Sequence, residues 1–281
     1  MRKIEVVVNK SDRLLKVLEK ECPDIIFSSL NKALRQKDII VNGTRVKENI
    51  VVPVGARIIV YVPDEASKKN MIDIVYEDNN ILIVNKSKGI ETCDGTYNIQ
   101  NELLKQNIIV YPVHRLDRNT LGLVIFAKTT DVQNELISAF KNGNVEKYYY
   151  AEIYGNAPKK HDILNGYLLK NKDESSVMIY NNKTSPQCLP IKTEYEVIKS
   201  GGNTSLLSVK IKDGKTHQIR AHLAFNKMYI IGDGKYGKNE INIKYKAKTQ
   251  HLKAYKIKFN FSNGSSLYYL NNFNLQLNNE F

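Results

Sequence analysis

The chain has 281 residues, 42% of them hydrophobic and 25% charged, which is ordinary for a globular protein with a buried core. Lysine and arginine outnumber aspartate and glutamate by 42 to 29, and the net charge of +13 favours a polyanionic partner. No apolar run approaches the roughly 20 residues of a membrane-spanning helix, and three well-separated cysteines indicate neither a disulfide framework nor a metal site.

The first sixty or so residues have the pattern of a small α+β module. Ser11 is predicted to cap a first amphipathic helix, and Ser28 or Ser29 a second. An Asn42-Gly43 turn between two β-rich runs is the signal for a tight hairpin. The run GARIIVYV then predicts a closing strand.

This module resembles an S4 RNA-binding domain over Arg13 to Val62. The shared features are an Arg-Leu-x-x-x-Leu opening, a basic second helix, a Val-Asn-Gly turn and a Gly-x-x-Ile-x-Val strand. The resemblance implies RNA contacts from the second helix and the loop after it, which here carry Lys32, Arg35, Gln36, Lys37, Asn42 and Arg45. The alternative is that these side chains are only the solvated side of an amphipathic helix.

The chain is predicted to divide into a module at residues 1–62, a polar linker at 63–70 and a larger domain at 71–281. In the larger domain a helix is expected over TTDVQNELISAFKNG, and a short helix is expected to begin within KDGKTHQIRAHL. Strands outnumber helices without regular alternation, so we expect an α+β fold with a mixed or antiparallel sheet. The predicted strands are IDIVYED, ILIVNK, LGLVIFAK, KYYYAEIYG, SLLSVKIK and AYKIKFNF.

Three patches of the larger domain combine residue types suited to chemistry: HRLDRNTLG, EKYYYAEIYG and KDGKTHQIRAHL. Each also has an ordinary structural interpretation. Asp117 could cap a turn, and strand alternation puts Tyr148 and Tyr150 on one face with Tyr149 on the other. The two histidines of the third patch do not have the i,i+4 spacing of a helical zinc site, so no metal is expected.

A glycine pattern, IIGDGKYG, satisfies G-x-G-x-x-G but does not predict a dinucleotide site. That fingerprint requires a helix opening at the glycines within a βαβ unit, and the following KNEINIKYKAK has no apolar stripe of helical period. The sequence also has no Walker-type phosphate loop and no deaminase signature with paired cysteines. We expect no cofactor.

Taken together, the patches resemble the RluA family of pseudouridine synthases, which convert uridine in RNA to its C-glycoside isomer. The family signature His-Arg-Leu-Asp-x-x-Thr-Ser-Gly is matched at residues 114–122, with Leu121 in place of the serine. Lys-x-Tyr-x-Ala is matched from Lys147, and Gly-Asp-x-x-Tyr-Gly at 232–237. Gly-Arg-Thr-His-Gln-Ile-Arg-x-His-Leu is matched at residues 214–223, with Lys215 in place of the first arginine. A second departure is Lys86-Ser87-Lys88-Gly89 where the family has Lys-Pro-x-Gly.

The resemblance implies a mechanism. Asp117 would be the catalytic carboxylate, acting by covalent attack or by assisting glycosidic cleavage, and Arg220 would pair with it and favour its charged form. A bidentate pair would also fix the orientation of the carboxylate. Tyr149 would stack on the extruded base or take part in proton transfer. Further substrate contacts are implied for Arg115, which would help hold the flipped geometry, and for His114, Lys147, His217 and Gln218.

The implied partner is RNA, with large-subunit (23S) ribosomal RNA expected and transfer RNA as the alternative. Two other functions remain open from the residues: a catalytically silent RNA-binding protein acting in ribosome assembly, and a glycoside hydrolase, although that chemistry normally needs two facing acids. The N-terminal apolar run is too short for a signal peptide. We therefore expect a cytoplasmic protein without membrane contact, and a monomer.

Overall fold

The computed structural model describes residues 1–22, 25, 27–63, 72–95, 97–171, 176–212, 214–278 and 281. The chain divides into two compact units, Met1–Met71 and Ile72–Phe281. Most of the predicted linker, residues 64–70, lies outside the described residues. No helix in the described part of the chain is long and apolar enough to cross a membrane.

The N-terminal unit contains the two predicted helices and the predicted hairpin around Asn42-Gly43. Its core is formed by aliphatic side chains of both helices and of the sheet. An unpredicted N-terminal strand completes that sheet by pairing antiparallel with the closing strand. The elements are β1 (Arg2–Val7), β2 (Asp12–Arg13), α1 (Leu14–Glu21), α2 (Phe27–Arg35), β3 (Ile39–Val41), β4 (Thr44–Val46), β5 (Val51–Val52) and β6 (Arg57–Val62).

Both predicted helix caps are wrong. Helix α1 begins at Leu14 with Arg13 at the cap position and no side-chain cap. The reason is that β2 pairs with β5 immediately before the helix, so the chain is extended up to Leu14 and Ser11 lies too early. Helix α2 begins at Phe27, which puts Ser28 and Ser29 inside the helix.

The second unit is α+β and is organised around one mixed, largely antiparallel sheet. In the described residues its order is β13-β12-β14-β15-β11-β16-β10-β8-β7, with β9 paired to β10. The strands are β7 (Ile72–Glu77), β8 (Ile81–Lys86), β9 (Tyr111–Pro112), β10 (Leu121–Ala127), β11 (Val145–Tyr154), β12 (His161–Lys170), β13 (Val177–Tyr180), β14 (Leu189–Gly201), β15 (Thr204–Ile211) and β16 (Leu252–Phe259).

The helices lie on the sheet. The first predicted helix is α4, and Thr129 caps it by accepting the N–H of Val132. Helix α4 and the C-terminal segment pack on one face, and α5 packs on the opposite face through Ile219 and Leu223. The bounds are α3 (Ile99–Leu104), α4 (Thr130–Lys141), α5 (Gln218–Phe225), α6 (Asn239–Lys244) and a 3-10 helix (Tyr268–Asn272).

All six strands predicted for the larger domain are present, whereas β9, β12, β13, β14, α3, α6 and the 3-10 helix were not predicted. Helix α6 corrects the expectation that no helix follows the glycines of IIGDGKYG. It is six residues long and begins after the glycines, with Lys238 at its cap position. The fingerprint's helix opening at the glycines is therefore still missing.

Strand β16 has a special place because it lies between β11 and β10 and joins the two sides of the sheet. It pairs antiparallel with β11 and parallel with β10, where Gly122 lies opposite Ala254. Gly122 has φ +108°, and a Cβ there would lie 2.0 Å from the carbonyl oxygen of Ala254. Only glycine allows this close approach, which fixes the start of β10.

Candidate active site

The loop at residues 113–120 carries Asp117 and leads directly into β10. Leu116 anchors this loop. Its side chain is buried, and its N–H donates to the Thr92 hydroxyl at 3.2 Å. A turn closes through the N–H of Thr120, which donates to the Asp117 carbonyl at 2.9 Å. The buried Thr120 hydroxyl in turn accepts from Gln250. Asp117 thus extends from a loop held at both ends.

Lys86 braces the same loop from the neighbouring segment. Its side chain is 1% exposed, and Nζ donates to the carbonyl oxygens of Ser87, Ile90 and Arg118 at 2.9–3.0 Å. Burial lowers the pKa of Lys86 to about 7, against the opposing influence of Asp117. In the sequence this lysine stands out only as the start of a segment that departs from the family pattern. The structure makes it a structural support of the loop that carries Asp117.

Arg220 contacts Asp117 across the site. Its Nη1 donates to Asp117 Oδ2 at 2.8 Å, so the predicted pairing across a hundred residues is present. The predicted bidentate geometry, however, occurs with a different acid. Nε and Nη2 of Arg220 donate to the two carboxylate oxygens of Asp233 at 2.7 and 2.9 Å, which leaves Asp117 a single hydrogen bond.

Asp233 is the site residue that the sequence did not identify. It is 1% exposed, and its Oδ1 also accepts the backbone N–H groups of Lys235 and Tyr236. Burial opposes ionisation, but the hydrogen bonds from Arg220 outweigh it and hold the pKa of Asp233 below its usual range. Burial alone would likewise lower the pKa of Arg220, and its pairing with Asp233 and Asp117 raises it instead. The motif GDGKYG contained the signal, but a lone acid among glycines also fits an ordinary turn.

Tyr149 lies in β11 on the face of the sheet that holds Asp117. It is 6% exposed, and burial, with a smaller contribution from Asp117, raises the pKa of its hydroxyl. Tyr148 and Tyr150 lie on the other face, where both contact the ring of Tyr255, with Tyr150 stacked at 3.7 Å. The predicted alternation of the three tyrosines is confirmed. A bulge between Tyr148 and Tyr149 interrupts pairing with β16 at this point.

His217 and Gln218 lie where the chain enters α5. Nδ1 of His217 lies 2.9 Å from the Tyr236 hydroxyl, and Nε2 lies 3.9 Å from Asp117 Oδ2. Gln218 is buried and donates to the Lys192 carbonyl at 3.0 Å, while its side-chain oxygen accepts the N–H of Lys215. Gln218 therefore braces the loop before α5.

These groups surround one cleft. An inner part is lined by Asp117, Tyr149, Leu252 and residues of α5, and an outer part of about 350 Å³ is rimmed mainly by basic side chains. The residues lining both parts are Arg115, Asp117, Gly214, Lys215, His217 and Arg220. Glu91, Arg118 and Lys235 line only the outer part. An anionic ligand that places a flat group beside Asp117 fits this arrangement.

The other predicted contact residues lie in different settings. Arg115 is on the cleft rim, exposed, and paired with Asp94. His114 does not line the cleft; its Nε2 accepts the N–H of Ile125, and its ring packs on Phe140. Lys147 is buried, with Nζ 4.9 Å from the centre of the Phe140 ring. The implied RNA contacts of the N-terminal unit, Lys32, Arg35, Lys37 and Arg45, are all exposed.

Among the residues described, the inner part of the cleft holds one acidic side chain, that of Asp117, beside a fixed arginine and a buried phenol. Asp233 is already saturated by Arg220 and two backbone N–H groups, so Asp117 is the carboxylate available to a ligand in the inner part. In the described residues, no group of three or more His, Cys, Asp or Glu side chains is arranged to hold a metal ion.

A family model, curated relatives and a solved structure that are similar to this chain all belong to one family. The model of the family described as RNA pseudouridylate synthase matches residues 80–225. An uncharacterized RNA pseudouridine synthase of Mycoplasma capricolum is 34% identical, over 95% of this chain and 94% of the relative. The ribosomal large subunit pseudouridine synthase D of Yersinia pestis is 27% identical, over 80% of this chain and 73% of its own. The fold is shared with human RNA pseudouridylate synthase domain containing 1, at a TM-score of 0.58 and 22% identity over 67% of this chain and 78% of that one.

Proposed function

The chain belongs to the RNA pseudouridylate synthase family, and we propose that it isomerises uridines of large-subunit ribosomal RNA with Asp117 as the catalytic carboxylate. It is an RNA pseudouridine synthase, an isomerase acting on RNA. This membership removes the glycoside hydrolase and the catalytically silent protein from consideration. The identity of the catalytic group and of the RNA target are our proposals.

The observation that carries the assignment of Asp117 is its contact with Arg220 inside the cleft. Arg220 is held by Asp233 and presents Nη1 to Asp117 at 2.8 Å. A guanidinium donor at this distance holds the carboxylate of Asp117 in place inside the cleft. The lone pairs of the Asp117 carboxylate that do not accept from Arg220 remain available to the substrate.

The reaction breaks the bond between uracil N1 and ribose C1′ and forms a bond from C5 to C1′. We assign to Asp117 the step at the sugar, either as a nucleophile at C1′ or as a group that assists departure of the base. The uridine must leave its helix to bring C1′ to this carboxylate. Tyr149 supplies a flat, buried surface beside Asp117 on which the base can stack.

Large-subunit ribosomal RNA is the favoured target because the Yersinia pestis relative is named for it. Transfer RNA is the second candidate. We also propose that the N-terminal unit is an S4-type RNA-binding domain, in which Lys32, Arg35, Lys37 and Arg45 contact phosphates. The exposed side chains and the strand–hairpin order of that unit support this.

The test is to map pseudouridines in total RNA from cells with the wild-type gene, without it, and with Asp117→Asn. We expect specific large-subunit positions to lose the modification in the last two strains. In purified form the Asn variant should lose at least about a thousandfold in turnover, the scale seen when a catalytic group is removed, while still binding RNA. Unchanged ribosomal RNA with altered transfer RNA would contradict the target, and an active Asn variant would contradict the role of Asp117.

A further inference from the structure

His217 is held in a backbone conformation that side chains rarely adopt. Its φ is +53°, in the left-handed region, immediately before α5. For a residue other than glycine this conformation costs about 1 kcal/mol or more, and such strain concentrates at functional sites. The side chain is 15% exposed and lines both the inner and the outer part of the cleft. The ring is therefore fixed at the entrance to Asp117.

The contact with Tyr236 determines which ring nitrogen carries the proton. The Tyr236 hydroxyl accepts the N–H of Val177 at 2.8 Å and lies 2.9 Å from Nδ1 of His217. Within the described part of the chain, no other acceptor for the hydroxyl proton lies within hydrogen-bond distance. We take the hydroxyl as the donor to Nδ1, and with this assignment the proton of the neutral ring sits on Nε2.

Nε2 then faces the reacting carboxylate. It lies 3.9 Å from Asp117 Oδ2, too far for a hydrogen bond, so this carboxylate does not accept from Nε2. The charged and titratable groups around the ring are Asp117 from the catalytic loop, Arg220 from α5, and Asp233, Lys235 and Tyr236 from the loop before α6. Burial lowers the pKa of His217, with Asp117 opposing and Arg220 reinforcing the shift, so the ring is neutral at physiological pH.

The chemistry requires a donor in this place. When the N1–C1′ bond breaks, its electron pair stays with the base, and the charge is shared by N1 and the carbonyl oxygens O2 and O4. The later C5–C1′ bond formation releases the C5 proton and N1 gains one, so the isomerisation is balanced without a co-reactant. A preorganised donor at a developing anion is among the largest single contributions to catalysis.

We propose that His217 is a catalytic residue whose Nε2–H donates a hydrogen bond to a carbonyl oxygen of the departing uracil. This inference rests on the proposed function and adds a second group to the bond-breaking step. Asp117 acts at the sugar, and His217 holds the charge on the base. Tyr236 is then a positioning residue, because it acts through the imidazole.

The test compares His217→Gln with His217→Leu. The glutamine side chain keeps an N–H near the position of Nε2 but cannot accept and release a proton at neutral pH, and leucine has no donor. Turnover is measured as tritium released from C5 of uridine in an unmodified RNA transcript. We expect the leucine variant to lower kcat about a hundredfold with KM changed less than threefold, the cost of one missing donor, and the glutamine variant to stay within about tenfold of wild type.

Three results would overturn the proposal. A glutamine variant as impaired as the leucine variant would indicate a proton-accepting role, and wild-type kcat in the leucine variant would indicate packing only. Tyr236→Phe, which leaves Nδ1 without its donor, should lower kcat about tenfold with little change in KM. Wild-type kcat in this third variant would also contradict the proposal, and it gives an answer even if the leucine variant fails to fold.

The control variant is His161→Gln, at an exposed position at the start of β12, which should retain full activity. Activity of the wild type on transfer RNA alone would overturn the proposed target, and the His217 variants would then be compared on that RNA.

Discussion

Arg220 divides its guanidinium unequally between two carboxylates. Asp233, fully buried, takes two of its N–H groups and two backbone donors, whereas Asp117, at the cleft, takes one. The two acids therefore have different roles. Asp233 holds the arginine in place, and Asp117 keeps a lone-pair surface for the substrate.

Replacing Asp233 by Asn tests this division. The variant leaves Arg220 buried with half of its charge compensation, and breaking a buried pair in this way costs about 3–5 kcal/mol. We expect the free energy of unfolding in urea to fall by that amount and turnover to fall at least about tenfold, since Arg220 is no longer fixed. Asp162→Asn removes an acid from a surface pair with Lys159 and should leave the free energy of unfolding nearly unchanged. Equal effects of the two variants would contradict the role of Asp233 in holding Arg220.

His114 gives a pH-dependent contribution to stability. Burial, reinforced by Lys147, lowers the pKa of its ring to about 3. The unfolded chain binds a proton at this histidine near its ordinary pKa of about 6.5, so between that pH and the folded pKa the unfolded state holds more protons. Stability therefore falls as the pH drops through this window. The amide oxygen of His114→Gln can still accept the N–H of Ile125. The free energy of unfolding of this variant should fall less steeply with decreasing pH than that of the wild type, by up to about 1.4 kcal/mol per pH unit. A difference from wild type that does not change between about pH 4 and pH 7 in urea unfolding would exclude this.

At the scale of elements, the parallel contact between β10 and β16 fixes the loop of Asp117. Gly122→Ala puts a methyl group 2.0 Å from the carbonyl oxygen of Ala254, so one strand must move. We expect a loss of more than about 3 kcal/mol in the free energy of unfolding, in the range of severe backbone clashes, together with loss of turnover. Gly155→Ala is the matched control, because it also has positive φ but nothing within 4 Å of the added Cβ. It should cost about 1 kcal/mol.

The elements that sequence analysis found and those it missed differ in burial. Strand β10 is buried along nearly its whole length and is readable as an apolar run. Strands β12 and β14 alternate weakly, with Ile163 39% and Ile198 51% exposed, because they lie toward the edge of the sheet. Helix α3 has six residues, too few to show a helical period. The pairing of Asp117 with Arg220 was predictable only through family resemblance, and the role of Asp233 depends on a contact that local sequence does not encode.

At the scale of the molecule, both units carry basic side chains, and we expect those of the N-terminal unit to bind RNA. Replacing Lys32, Arg35 and Arg45 together by Ala should raise KM for RNA at least about tenfold at moderate salt, with kcat unchanged. The slope of log affinity against log salt should become shallower by up to about 0.7–0.9 for each phosphate that is no longer neutralised. The matched control replaces Lys10, Lys16 and Lys20, which removes the same charge around α1. Equal weakening by both sets would mean that total charge, not this surface, binds RNA.

The position of strand β16 also determines when the cleft can form during synthesis of the chain. Asp117 belongs to the side of the sheet that contains β10, whereas Tyr149 and Arg220 belong to the side that contains β11 and β15. The only strand pairings between these sides in the described residues run through β16, which follows all the other described strands along the chain. Contacts this distant in sequence form late. Synthesis must therefore pass β16 before the cleft can close, and we expect a nascent chain that stops short of this strand to be inactive toward RNA.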